Sequence, residues 1–190
     1  MSAVSPEWMA AAQSVLNREA LYLDTRRWDD WLGLYAEDAR FWLPAWTDEH
    51  TLATSPDSEL SLIYCAARAG LEDRVWRIRS GLSVASTPLP RTAHAVSSCV
   101  FSDIDTAAAP GVRVESSWTC HVHNPKHRRE HVLFGRYEHL LREGPQGWRI
   151  ASKKIVLMND VIRRCSTSTA CDEASGHLRA VSTRGRWRLA

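Results

Sequence analysis

From Arg91 to Asp160 the apolar residues recur with a period of two, and this run constrains the fold more than any other feature of the chain. Four segments carry it: RTAHAVSSCVFSDI, GVRVESSWTCHVHN, HVLFGRYEHLLRE and GWRIASKKIVLMND. In an extended chain successive side chains point to opposite faces, so alternation of this kind marks strands with one face buried. DTAAAPG, NPKH and EGPQG separate the segments, and each contains Pro or Gly turn chemistry. Short connections of this sort join antiparallel neighbours. The last half of the chain is therefore expected to be a run of hairpin-linked antiparallel strands.

The stretch STPLP, Ser86 to Pro90, breaks the chain, and upstream of it the pattern differs. Ser5 suits a helix N-cap and Pro6 the first helical position. Met9, Val15, Leu16, Ala20 and Leu23 then recur at helical spacing as one buried stripe. A second short helix is expected over WDDWLGLYA, with Trp28, Trp31, Leu32 and Tyr35 on one face and Asp29 and Asp30 pointing away. ARFWLPAW reads as a strand that Pro44 ends or bends. Thr47–Pro56 is a polar, acidic loop, SELSLIYCAA a strand or strand–turn, and residues 70–78 a third helix burying Leu71, Val75 and Ile78. Helices followed by antiparallel strands make an α+β chain, a curved sheet wrapped around helices.

A single domain over residues 1–160 accommodates all of these elements. After Val161 the periodicity disappears. Residues 161–190 hold six arginines against Asp172 and Glu173, a net of +4, which leaves −2 on the rest of a chain of net charge +2. This Arg-rich C-terminal tail is expected to be extended or disordered. No concentrated basic face points to nucleic acid. No stretch approaches the roughly 20 apolar residues that span a bilayer, and no signal peptide is recognisable, so a cytoplasmic location is expected. The five cysteines (65, 99, 120, 165 and 171) have no regular spacing and are expected to be free thiols.

Three groups of residues invite a chemical reading. His121, His123, His127 and His131 crowd into CHVHNPKHRREH, with His127 and His131 at the i, i+4 spacing of a helical metal pair. The turn signal Asn124-Pro125-Lys126 and the cations Lys126, Arg128 and Arg129 favour a polar hairpin tip instead. Cys120-His121-Val122-His123 could be half of a Rieske iron–sulfur motif, but the second Cys/His pair that would complete the ligand set is missing. Asp24, Asp29 or Asp30 with His94 could form a carboxylate–imidazole dyad inside the roll. Against this, acids near a helix N-terminus are ordinary surface residues. No Gly-rich phosphate loop, Gly-x-Ser-x-Gly elbow or Cys-x-x-Cys pair is present.

Nine tryptophans in 190 residues are many, and four of them, Trp28, Trp31, Trp42 and Trp46, lie in DTRRWDDWLGLYAEDARFWLPAW. Trp28, Trp31 and Trp76 are assigned to the helix–sheet core. Trp and Arg are also enriched at the centres of protein interfaces. Trp42, Trp46, Arg91 and His94 are therefore the candidate subunit-interface residues, with no residue assigned to catalysis, cofactor binding or metal binding.

ALYLDTRRWDDWLGLYAEDARFWLPAW, SELSLIYCAARAGLEDRVWRIRSG, PRTAHAVSS and GWRIASKKIVLMND, in this order across residues 10–160, resemble the small (beta) subunit of aromatic-ring-hydroxylating dioxygenases. GLEDRVWRIRSG and SELSLIY are most similar to the branch acting on benzoate, toluate, anthranilate or halobenzoates. The resemblance implies a cystatin-like (ketosteroid-isomerase-like) roll. It also implies a non-catalytic structural subunit of a complex that cis-dihydroxylates an aromatic carboxylate with electrons from NADH. The large (alpha) subunit is expected to carry both the Rieske 2Fe–2S cluster and the mononuclear non-haem iron, leaving no cofactor in this chain. The expected partners are that large subunit, other small subunits as a trimer within an alpha3 beta3 assembly, and indirectly a reductase or ferredoxin, with no nucleic acid and no membrane. The tail after Asp160 departs from the family pattern. The alternatives are a stand-alone isomerase or dehydratase using an Asp/His pair in the cone of the roll, and a module binding a small apolar ligand there.

Overall fold

The structure is a computed structural model that describes residues 4–81, 88–106, 109–145, 147–160, 181–183 and 186–188. Helix α1 spans Pro6–Asp24, and Ser5 caps it by accepting the Trp8 N–H at 3.2 Å. Its buried stripe is Ala12, Val15, Leu16, Glu19 and Leu23. Met9 is exposed and Ala20 half-buried, so the stripe runs one step aside from the expected line and takes in a carboxylate. Helix α2 is only Trp28–Leu32, ending at Gly33. Tyr35 opens strand β1, Tyr35–Pro44, rather than extending α2. Its ring nevertheless meets Trp31 edge-to-face at 5.1 Å, because the turn at Gly33 folds the strand back beside the helix.

Strand β2 is Ser61–Cys65 and helix α3 is Ala69–Ser80, closed by Gly81 in the left-handed conformation. Leu71 and Val75 are the buried residues of α3, and Ile78 is half-buried near its end. Trp76, expected in the core, is 63% exposed. It lies one position beyond Val75, and the helix turns about 100° per residue, which carries it off the buried face. Trp31 is buried, and Trp28 is half-buried against the core.

Strands β3 (Arg91–Thr106), β4 (Ala109–Asn124), β5 (Arg129–Gly144) and β6 (Gly147–Leu157) are the four alternating segments. The sheet order is β2-β1-β6-β5-β4-β3. All neighbours are antiparallel except β1 and β6, which run parallel. Helix α1 packs against β3, β4 and β6, so the helices cover one face of the sheet. Two irregularities change which residues face them. In β3 the register shifts between Ser97 and Val100, and Ser98 has φ +53°. Thr92, His94 and Val96 face inward before this bulge, and Cys99 and Phe101 after it. In β6 the pairing with β5 jumps between Leu141–Ile150 and Leu140–Ser152. Ala151 is the extra residue, so Ile150 and Lys153 both point into the core.

In the tail, Val181–Thr183 (β7) and Arg186–Arg188 (β8) pair antiparallel as a separate two-stranded sheet. The expectation for residues 161–180 falls outside the described residues. Cys65, Cys99 and Cys120 are free thiols, and Cys165 and Cys171 also fall outside the described residues.

Candidate functional site

The interior of the roll holds a buried polar cluster. Glu19 on α1, His139 on β5 and Lys153 on β6 are no more than 3% exposed. One Glu19 oxygen accepts from Lys153 Nζ at 2.8 Å and lies 3.1 Å from His139 Nε2, while the other accepts the Tyr35 hydroxyl. Burial alone would raise the Glu19 pKa. The Lys153 charge and the bonds from His139 and Lys153 outweigh it and hold the carboxyl far below the usual range. Burial pushes the His139 imidazole down against the opposing pull of Glu19. Burial likewise pushes the Lys153 ammonium down from its ordinary value against the opposing pull of Glu19. Tyr137 stacks on Trp118 at 4.9 Å and lies beneath Lys153 Nζ at 4.0 Å. These rings fill the space around the charges. General acid–base groups are present and buried, and His139 Nδ1 has no hydrogen-bond partner among the described residues.

Sequence reasoning singles out neither Glu19 nor Lys153. The available signal for Glu19 is a charge at i+4 from Val15 and i−4 from Leu23, on the apolar stripe. His139 is legible as a polar residue in phase with Leu133, Tyr137 and Leu141 on β5. Lys153 requires the bulge at Ala151.

Of the expected dyad, the structure brings together Asp24 and His94. Asp24 Oδ1 lies 2.6 Å from His94 Nδ1 and accepts from Thr92 Oγ1 at 2.8 Å, while Oδ2 accepts the His94 backbone N–H at 2.8 Å. Burial raises the Asp24 pKa, but the bonds from the ring and backbone of His94 outweigh it and leave the group lowered. An acid in the last turn opposes the helix dipole, and these three donors compensate it. The dyad thus fastens the end of α1 to β3. Asp29 and Asp30 are elsewhere, on Arg79 at 2.7 Å and Arg27 at 2.8 Å.

The four interface candidates separate in the structure. The His94 side chain is 3% exposed and turned inward, whereas Arg91 is exposed. Three residues apart on a strand of period two, they occupy opposite faces. Trp42 and Trp46 are half-buried. Trp42 donates to Ser61 Oγ at 2.8 Å, and Trp46 to the Leu157 carbonyl at 2.7 Å. The sheet face turned away from the helices carries exposed apolar side chains, Ala93 and Ala95 on β3, Val132 and Phe134 on β5, and Met158, with His121 and Thr119 of β4 in the rows between β3 and β5. Val132, Phe134 and Met158 are 41–46% exposed. A depression of about 450 Å³ adjoins these side chains, lined by Arg91, Ala93, His121, His123, Glu130 and Val132.

The histidine run resolves as a hairpin tip. His127 lies in the turn and His131 on β5, so they share no helix. Cys120 is buried, while His121 and His123 lie on the opposite face of β4, which prevents joint ligation. Among the described residues no group of three His, Cys, Asp or Glu is placed to hold a metal ion. No described helix is long and apolar enough to cross a membrane.

Comparison with known proteins places this architecture. Residues 18–164 match the family model described as ring hydroxylating beta subunit. The small subunit of 2-halobenzoate 1,2-dioxygenase from Burkholderia cepacia is 40% identical over 147 residues, 77% of this chain and 86% of that protein. The crystal structure of the beta subunit of benzoate 1,2-dioxygenase from Burkholderia mallei superposes with a TM-score of 0.67 at 31% identity, covering 88% of this chain and 99% of that one. A cystatin-like protein from Nostoc punctiforme shares the fold, with a TM-score of 0.55 at 12% identity over 85% of this chain and 98% of that one. The family match over residues 18–164, the 40% identity over 77% of the chain and the shared cystatin-like roll together show that this chain belongs to the ring-hydroxylating dioxygenase beta-subunit family.

Proposed function

We propose that the chain is the non-catalytic structural small subunit of a multicomponent Rieske non-haem iron dioxygenase that cis-dihydroxylates an aromatic carboxylate. The observation that carries this reading is the family match over residues 18–164, with a small subunit 40% identical over 77% of the chain. In the interior, Glu19 takes both His139 Nε2 and Lys153 Nζ, which engages the acid and base groups there in holding α1 against β5 and β6. The exposed face offers large apolar side chains, as a subunit of a permanent complex does. The substrate class follows the relatives, which are named for 2-halobenzoate and benzoate. The Rieske cluster and the mononuclear iron are assigned to the large subunit, and a reductase or ferredoxin supplies electrons from NADH. The small subunits form a trimer within an alpha3 beta3 assembly. A threefold contact is heterologous, joining two different faces of each copy. The face carrying these apolar side chains and Arg91 provides one of them. Residues 1–160 form the folded unit, and the complex is cytoplasmic.

Co-expression with the cognate large subunit, followed by light scattering and iron analysis, tests the reading. A hexamer is expected whose iron and activity stay with the large subunit when the two are separated. An isolated small subunit holding about one equivalent of iron, or turning over an aromatic acid alone, would refute it.

A further inference from the structure

A second concavity of about 350 Å³ lies on the same outer face at the β1–β6 side, lined by Arg40, Trp42, Tyr64, Arg113, Leu140 and Lys154. Strand register builds it. Arg40, Ser152, Leu140 and Arg113 form one row across β1, β6, β5 and β4. Trp42 stands two residues along β1 from Arg40, on the same face, and pairs directly with Tyr64 of β2. The indole N–H is already bonded to Ser61 and Lys154 Nζ stands over the ring 5.4 Å from its centroid, so what Trp42 offers a visitor is the ring surface beside that cation.

Arg40 and Arg113 are exposed. Among the described residues no hydrogen bond or ion pair engages either guanidinium. The neighbouring carboxylates are largely committed: Asp38 to Arg142 and Glu138 to Lys154 at 3.3 Å. Glu115, beside Glu138 in the next row, remains exposed. The lining residues thus carry three cations, Arg40, Arg113 and Lys154, against the one anion Glu138, with an aromatic wall and a Leu140 floor. Trp, Tyr and Arg are the residue types that anchor interface centres.

The two concavities of the outer face differ in chemistry. Interfaces between identical copies are the more apolar kind, which suits the region carrying Ala93, Ala95, Val132, Phe134 and Met158. We infer that the Arg40–Trp42–Tyr64–Arg113 concavity docks an acidic segment of the large subunit, a carboxylate entering between the guanidinium groups while an apolar group packs on the Trp42 and Tyr64 rings. This rests on the assignment of the chain to a complex with a large subunit and adds where and by what chemistry that subunit binds. Arg is suited to the task because its planar fork meets a carboxylate in a bidentate manner.

The test uses the co-expressed complex and an Arg40→Glu/Arg113→Glu small subunit. The affinity for the large subunit should fall by about 100-fold or more, since two attractive pairs become repulsive. The small subunits should remain folded and self-associated, with unchanged circular dichroism and Tm. Arg40→Lys/Arg113→Lys should keep most of the binding, and wild-type dissociation should increase with salt. Three results would overturn the inference: wild-type affinity in the charge-reversed complex, dissociation of small subunits from one another while the large subunit stays bound, or saturable quenching of Trp fluorescence by sodium benzoate that the double substitution abolishes. The last would make the concavity a small-molecule site. If the wild-type chain forms no complex at all, the assignment beneath this inference fails together with it. A normal wild-type complex with an unaffected variant refutes the inference alone.

Discussion

Glu19→Gln tests the buried cluster. The substitution preserves shape and removes the one negative charge that Lys153, His139 and Tyr35 all face. Lys153 would remain 3% exposed with no anion beside it. Removing one partner of a buried ion pair costs about 3–5 kcal/mol, mostly the cost of stranding the other charge. For a chain of this size each kcal/mol shifts Tm by roughly 2–4 °C, so a fall of roughly 6–20 °C is expected. Glu19→Leu combined with Lys153→Met removes both charges and keeps apolar volume. The double variant should recover much of that loss, because replacing a whole buried pair by apolar groups is often neutral or stabilising. Urea melts of wild type, each single variant and the double variant, followed by circular dichroism, give the coupling energy directly. A Glu19→Gln cost below about 1 kcal/mol, or a double variant no better than either single one, would show that the three groups are not a mutually dependent cluster.

Two further outcomes follow from the same structure. Stability should fall with acid in two stages. The folded His139 pKa is lowered from 6.5, so only the unfolded chain takes up that proton as pH drops below 6.5; the folded Glu19 pKa is lowered from 4.5, so its contribution is present above 4.5 and lost as pH falls further. Urea midpoints between pH 7 and 5 should lose most of their slope in His139→Gln, and an unchanged slope would assign it to another group. Trp31→Ala should cost about 3–5 kcal/mol by emptying a buried aromatic site, whereas Trp76→Ala should stay within about 0.5 kcal/mol as a surface substitution; equal losses in thermal melts would contradict the burial of one and the exposure of the other.

Local pattern alone determined most of the architecture. The Ser5 cap, the Pro44 strand end, the third helix and the four hairpin-linked strands were all readable, because capping, turn chemistry and period-two alternation are decided by neighbours in sequence. The resemblance in four ordered blocks supplied the family. What sequence could not decide depended on where a period is interrupted or which element comes to lie opposite. Unbroken alternation would send Ile150 and Lys153 to opposite faces; the extra residue at Ala151 turns both inward. Arg91 and His94 look like one segment in sequence, yet the pleat assigns one to solvent and the other to Asp24. Trp76 reads as core by residue type, but a single helical step places it outside. His139 and Lys153 lie 120 and 134 residues from Glu19 along the chain. Only closure of the sheet over α1 makes them one site, because the stability of a buried charge depends on the partner that the tertiary fold sets against it.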